Sequence, residues 1–148
     1  MPDPAAPVTS PSHGAIQAHP AIIFFDGDCL LCNGFVDLML KLDPAGVFAM
    51  APLQGQTAQH LLPPLSDQAE DWSMYYLEAG TLYSQSDAAL AVMARLGGLG
   101  SVLSWGRIIP RPLRNRLYRV IARNRYRWFG RRATCRRPNS QEQARFLP

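Results

Sequence analysis

Ala21-Ile22-Ile23-Phe24-Phe25-Asp26-Gly27-Asp28-Cys29-Leu30-Leu31-Cys32 is the stretch on which the reading of the fold turns. Five apolar residues between Pro20 and an Asp-Gly turn have the length and the aromatic and branched content of a buried strand. From Leu30 onward, Leu31, Phe35, Leu38, Met39 and Leu42 recur at helical spacing until Asp43-Pro44 and Gly46 end the pattern. A strand that turns into a helix beginning with two cysteines is a place for thiol chemistry.

Residues three apart lie on one side of a helix's first turn, so the two sulfurs can reach bonding distance with little backbone change. Cys29, at the helix N-terminus, faces unpaired N–H groups and the positive end of the helix dipole, which favour thiolate over thiol. Cys32 sits one turn deeper, where it can resolve a mixed disulfide. Asp26 and Asp28 oppose a second negative charge, and either could instead relay protons. The sign of the net shift at Cys29 stays open at this stage.

Further along, Val47 to Leu53 reads as a second strand and Gln54 to Leu62 as a short helix ended by Pro63-Pro64. Ser73 to Leu77 and Thr81 to Ser84 flank a Glu-Ala-Gly turn and read as a hairpin. Ser86-Asp87 then reads as the cap of a helix running through Leu96 to Gly97-Gly98. The order is βαβαββα, an α/β core with the cysteines at the carboxyl end of a sheet strand, where open α/β sheets place ligands. Past Leu99 two more helices are expected on either side of Pro110-Arg111-Pro112. In the second, Leu113, Leu117, Ile121 and Trp128 form the stripe expected to hold it on the core, with Arg114, Arg116, Arg119, Arg123, Arg125 and Arg127 on the other faces.

A strand followed by Asp-Gly-Asp-Cys-x-x-Cys resembles the opening of the DCC family of thiol-disulfide oxidoreductases, a thioredoxin-like group. The likeness runs over roughly residues 21 to 138, through Ser86-Asp87-Ala88-Ala89-Leu90, Ile109-Pro110 with Arg111-Pro112-Leu113, Ile121 to Tyr126, and Cys135 before Pro138. It implies a thioredoxin-like core, a redox-active disulfide, protein-disulfide reductase activity with Cys29 and Cys32 catalytic and Asp26 and Asp28 supporting, and no cofactor. It further implies a disulfide-containing protein or small-molecule substrate, and an external thiol or reductase to reset the pair. The chain departs from the wider thioredoxin pattern in having no proline from Leu65 to Ile109, so Trp72 or Ser73 is expected where a cis-proline usually faces the cysteines.

At 148 residues, 47% of them apolar and 18% charged, the chain has the size of one globular domain with tails. The expected layout is a disordered tail over 1–20, a core over 21–98, an arginine-rich helical extension over 99–137 packed on it, and a tail over 138–148. Three cysteines, no secreted disulfide framework and five prolines without an apolar signal region in residues 1–20 suggest a reducing compartment and a cytoplasmic location. The longest apolar stretch, Ala88 to Ile109, is broken by Arg95, Arg107 and glycines, so no transmembrane segment is expected.

Charge is divided along the chain. Residues 1–94 carry Lys41 against ten acids, net −9, while residues 95–148 carry fourteen arginines against Glu142, net +13. Such a division fits an intramolecular clamp, or an anionic partner or membrane surface bound by the basic helix in a non-enzymatic module.

Other chemistries fit less well. A structural metal site needs four ligands, and Cys29 and Cys32 have only Cys135 and three unsuitably spaced histidines to join them, so no metal is expected; a cluster shared between chains stays a weaker alternative. Asp26-x-Asp28 also resembles the first motif of haloacid dehalogenase-like phosphatases, but Leu30 stands where that motif wants threonine. Cys135, between Arg131-Arg132 and Arg136-Arg137, reads either as a small residue closing the extension or as a third redox cysteine.

Overall fold

The computed structural model describes residues 21–131 and 137–148, together with the backbone of Ala6–Pro7. Its sheet is built from β1 (Ala6–Pro7), β2 (Ala21–Phe25), β3 (Phe48–Pro52), β4 (Tyr75–Glu78) and β5 (Thr81–Ser84), in the spatial order β1-β5-β4-β2-β3. β2 pairs parallel with β3, Ala21 beside Phe48 through Phe25 beside Pro52, and antiparallel with β4. β4 and β5 form the expected hairpin, with Ala79 and Gly80 both at positive φ in the turn. The remaining elements are α1 (Leu30–Leu42), α2 (Gln56–Leu61), α3 (Gln85–Leu96), α4 (Leu99–Leu103) and α5 (Arg111–Phe129). From β2 to α3 this is the thioredoxin-like βαβαββα arrangement.

The alternation of side chains along the central strands divides the core into two layers. Ile23, Phe25, Phe48, Met50 and Tyr76 pack with Val36 and Met39 of α1 and with Ala88 and Val92 of α3. Ile22, Phe24, Ala49, Ala51 and Leu77 point the other way, onto Ala58 and Leu61 of α2. Because helices cover both faces, β2 reads as an unbroken apolar run rather than an alternating one. The same layering buries the C-terminal end of β2, Phe24 and Phe25, where the chain turns toward Cys29.

Two expectations change at the edges of this core. Ser86 and Asp87 do not cap α3, whose N-cap is Ser84. They tie α5 to α3 instead: Ser86 Oγ hydrogen-bonds Asn115, while Asp87 pairs with Arg111 at 3.0 Å and Arg114 at 3.1 Å. Likewise the stripe of α5 does not hold the helix on the core, since Leu113, Leu117 and Trp128 are exposed. The helix packs by Arg114, Asn115, Tyr118, Ala122, Arg125 and Tyr126, a face that recurs at i, i+4, i+7 and i+8 and is polar because its partners are polar. Tyr118 OH, for example, accepts from the Met74 N–H at 2.8 Å.

Residues 138–148, expected as a tail, run along the core. The Leu147 N–H donates to Met50 O at 2.8 Å, and Arg145 Nη2 meets Asp43 Oδ2 at 2.5 Å. The expected tail over 1–20 lies outside the described residues, except that Ala6–Pro7 pairs antiparallel with Thr81 and Leu82.

Candidate functional site

The turn between β2 and α1 is held from three directions. Asn33 Nδ2, buried one turn into α1, donates to Gly27 O at 2.9 Å and Cys29 O at 2.7 Å. Gln54, just past β3, accepts from the Gly27 N–H at 3.1 Å and donates to Asp26 Oδ1 at 2.8 Å. A Cβ at Gly27 would lie 3.3 Å from Gln54 Oε1, so the glycine makes room for this bridge. Cys29 is thereby fixed as the N-cap of α1, its sulfur accepting the Cys32 N–H at 3.3 Å.

The two thiols are driven apart in acidity. A hydrogen bond from the Cys32 thiol, the Cys32 backbone N–H and the Arg125 guanidinium outweigh burial and the Asp26 charge, bringing Cys29 from 9.0 down to about 7. Cys32 moves strongly upward, because its proton is held against the Cys29 sulfur and burial disfavours its charge. The sign left open by the sequence is therefore downward at Cys29. The cause is the partner thiol more than the helix terminus.

Asp26 forms the floor of the site. Burial would raise its pKa, but Tyr126 OH, Arg125 Nη2 at 2.9 Å, the Asp28 N–H at 3.0 Å and Gln54 more than compensate, and the carboxyl is held below its ordinary value. It is a buried, ionised group accepting four hydrogen bonds. Asp28 contributes its backbone N–H to this network.

Arg125 and Tyr126 were not identified as site residues from the sequence. Arg125 is buried, and its guanidinium also donates to the carbonyls of Ala69 and Ala122, at 2.5 Å each. Burial raises the cost of its charge, but the Asp26 contact prevails and its pKa is raised. In sequence it is one of many arginines on α5; only its i+7 and i+11 spacing from Tyr118 and Arg114 marks it as facing inward.

After α5 the chain passes over Cys29. Gly130, at φ +93, turns it so that Gly130 O accepts the Leu30 N–H at 3.3 Å and Arg131 bridges antiparallel to Cys29. The Arg131 guanidinium stacks 4.1 Å from the Tyr126 ring centroid. Under this strap Cys29 is 0% exposed. Cys32 is half-buried and borders a cavity of about 230 Å³, lined mostly by apolar side chains including Phe35, Met74 and Ile121. Trp72 and Ser73, expected opposite the cysteines, also line it, and no peptide bond among the described residues is cis. Cys135, read as a closing residue or a third redox cysteine, lies outside the described residues.

Residues 23–131 match the profile of the DCC1-like thiol-disulfide oxidoreductases. The chain belongs to this family. It is also 37% identical to "Uncharacterized protein YuxK" of Bacillus subtilis (strain 168) over 128 residues, covering 86% of this chain and 93% of that protein. It is 31% identical to "DCC family protein At1g52590, chloroplastic" of Arabidopsis thaliana over 116 residues, 77% of this chain and 67% of that one. No solved structure gives a significant match. The match of this DCC family member begins inside β2 and ends at Arg131, so it takes in both the cysteine turn and the strap over it.

Among the described residues no group of three or more His, Cys, Asp or Glu side chains is placed to hold a metal ion. Nor is any helix among them long and apolar enough to cross a membrane.

Proposed function

We propose that this DCC family member is a disulfide reductase in which Cys29 attacks and Cys32 resolves. The observation that carries the reading is the divergence of the two thiols, one lowered to about 7 and its neighbour raised. A thiol with a pKa near ambient pH combines a large thiolate fraction with retained nucleophilicity. In the first step the Cys29 thiolate attacks one sulfur of a substrate disulfide and expels the other as a thiolate, which takes up a proton. In the second, Cys32 loses its proton and attacks the Cys29 sulfur of the mixed disulfide, expelling the second substrate thiolate. Two electrons pass to the substrate and a Cys29–Cys32 disulfide remains, which an external dithiol or reductase resets.

Asp26 enters this scheme as a fixed charge. Four donors and a lowered pKa leave it little capacity to carry a proton, so the Cys32 proton goes to a departing thiolate or to water. Arg125 offsets the carboxylate and adds its own charge in favour of the Cys29 thiolate. The strap must open for a disulfide to reach Cys29, whereas the cavity beside Cys32 suits an apolar group flanking the substrate sulfur. Activity of this kind belongs in a reducing compartment, such as the cytoplasm, that can regenerate the dithiol.

Insulin reduction by the wild type and by Cys29→Ser tests the assignment. Turnover is expected from the wild type and not from the variant, and equal turnover by both ends it.

A further inference from the structure

The outward face of α5 carries unpaired charge and exposed apolar surface side by side. Six arginines of residues 95–131 pair with acids of the core: Arg95 with Glu78, Arg111 and Arg114 with Asp87, Arg123 with Asp71, Arg125 with Asp26 and Arg131 with Glu70. Arg107, Arg116, Arg119 and Arg127 have no carboxylate partner among the described residues. Leu113, Leu117, Val120 and Trp128 follow i, i+4, i+7 and i+15 along the same helix and are all exposed, Leu113 at 60% and Leu117 at 63%. Just before the helix, Trp105 and Ile108 are 71% and 82% exposed. No acid occurs between Arg95 and Arg131.

We infer that this face docks on the surface of an anionic lipid bilayer. The inference is independent of the thiol chemistry. A helix of nineteen residues is about 28 Å long, and here it is fixed to the core by its opposite face, so it arrives already ordered. Its leucines, valine and Trp128, with Trp105 just before the helix, can enter the boundary between headgroups and acyl chains, while arginines reach past them to lipid phosphates.

The charge pattern selects the occupant. A second copy of the chain would bring like-charged arginine faces together. A nucleic acid would satisfy the arginines but leave the aliphatic residues in water. An anionic bilayer satisfies both, and the acidic first part of the chain orients the molecule with α5 toward it. Ile121 stands at the edge of this strip and also lines the cavity beside Cys32, so the docked surface adjoins the thiol site.

The test uses the full chain and vesicles of equal parts phosphatidylglycerol and phosphatidylcholine, with phosphatidylcholine alone as the neutral arm. Flotation with the anionic vesicles only, falling with added salt, is expected. Arg116→Gln, Arg119→Gln and Arg127→Gln together should lower partitioning on the order of 100-fold, at about fivefold per arginine. Leu113→Ser, Leu117→Ser and Trp128→Ser together should release the protein as well. Circular dichroism and the pH profile of Cys29 alkylation, which a folded variant keeps, accompany both sets. Independently of any variant, brominated acyl chains should quench wild-type tryptophan fluorescence. Failure to float at low salt, undiminished flotation of the arginine variant, or absence of quenching overturns the inference. So does concentration-dependent self-association through this face, or tighter binding to duplex DNA or polyglutamate than to the vesicles.

Discussion

Arg125 Nη2 stands 2.9 Å from Asp26 Oδ2, joining two buried residues that are 99 positions apart in the chain. The pair fastens the last long helix to the turn that carries Cys29. It also sets a carboxylate and a guanidinium at the base of the thiol pair with opposing effects on Cys29, of which the guanidinium's is the larger.

Breaking this pair from one side leaves an uncompensated buried charge. Arg125→Met should cost about 3–5 kcal/mol, toward the low end because Gln54 and Tyr126 still bond Asp26. Asp26→Leu with Arg125→Met should recover much of that loss. Because the folded pKa of Asp26 is lowered from 3.8, the stabilisation is fully present above 3.8 and disappears as pH falls through the folded value. Urea midpoints of the three proteins at neutral pH and in acid check this, and a loss below 0.5 kcal/mol at pH 7 would remove the pair from any structural role.

Iodoacetamide alkylation of reduced Cys29 should follow a midpoint near 7, not 9.0. Cys32→Ala removes the largest cause of the shift and should move the midpoint upward. The sign for stability follows: an acid whose folded pKa is depressed makes the reduced protein more stable as pH rises from about 7 toward 9. A midpoint unchanged by Cys32→Ala would assign the shift to the helix terminus and Arg125 instead.

The strap over Cys29 should act as a gate. Arg131→Ala removes the stacking on Tyr126 and an exposed 3.7 Å pair with Glu70. The stacking is worth about 0.5–1 kcal/mol, so Cys29 should react about two- to fivefold faster with a bulky aromatic disulfide. The comparison belongs at pH 9, where both proteins hold the thiolate and a pKa change cannot mimic opening. Equal rates would route the substrate through the cavity beside Cys32.

The core was legible because its signals are local. The run from Ala21 to Phe25, the helical spacing from Leu30, and the Asp43-Pro44 and Pro63-Pro64 stops each act within a few residues, and the structure follows them. What could not be read was long-range polar pairing. Beyond its helical spacing from Tyr118, nothing in sequence tells Arg125 from Arg123 or Arg127, because its burial depends on Asp26, Ala69 and Trp72, which only folding brings close. The same holds for residues 138–148, whose attachment depends on Asp43 and Met50.

The packing of α5 tests that distinction. Apolar periodicity pointed to Leu113, Leu117 and Ile121 as the buried stripe, yet Tyr118 is the residue pressed inward, its hydroxyl accepting the Met74 N–H and its pKa raised to about 12, chiefly by burial. Tyr118→Phe leaves that N–H without its acceptor and should cost about 1–3 kcal/mol. Leu117→Ser, one position away but facing solvent, should change stability by no more than about 0.5 kcal/mol. Thermal unfolding of the two variants separates the faces. A larger loss from Leu117→Ser than from Tyr118→Phe would mean that the helix is held by its apolar stripe after all, rotated by about 100° from the arrangement described above.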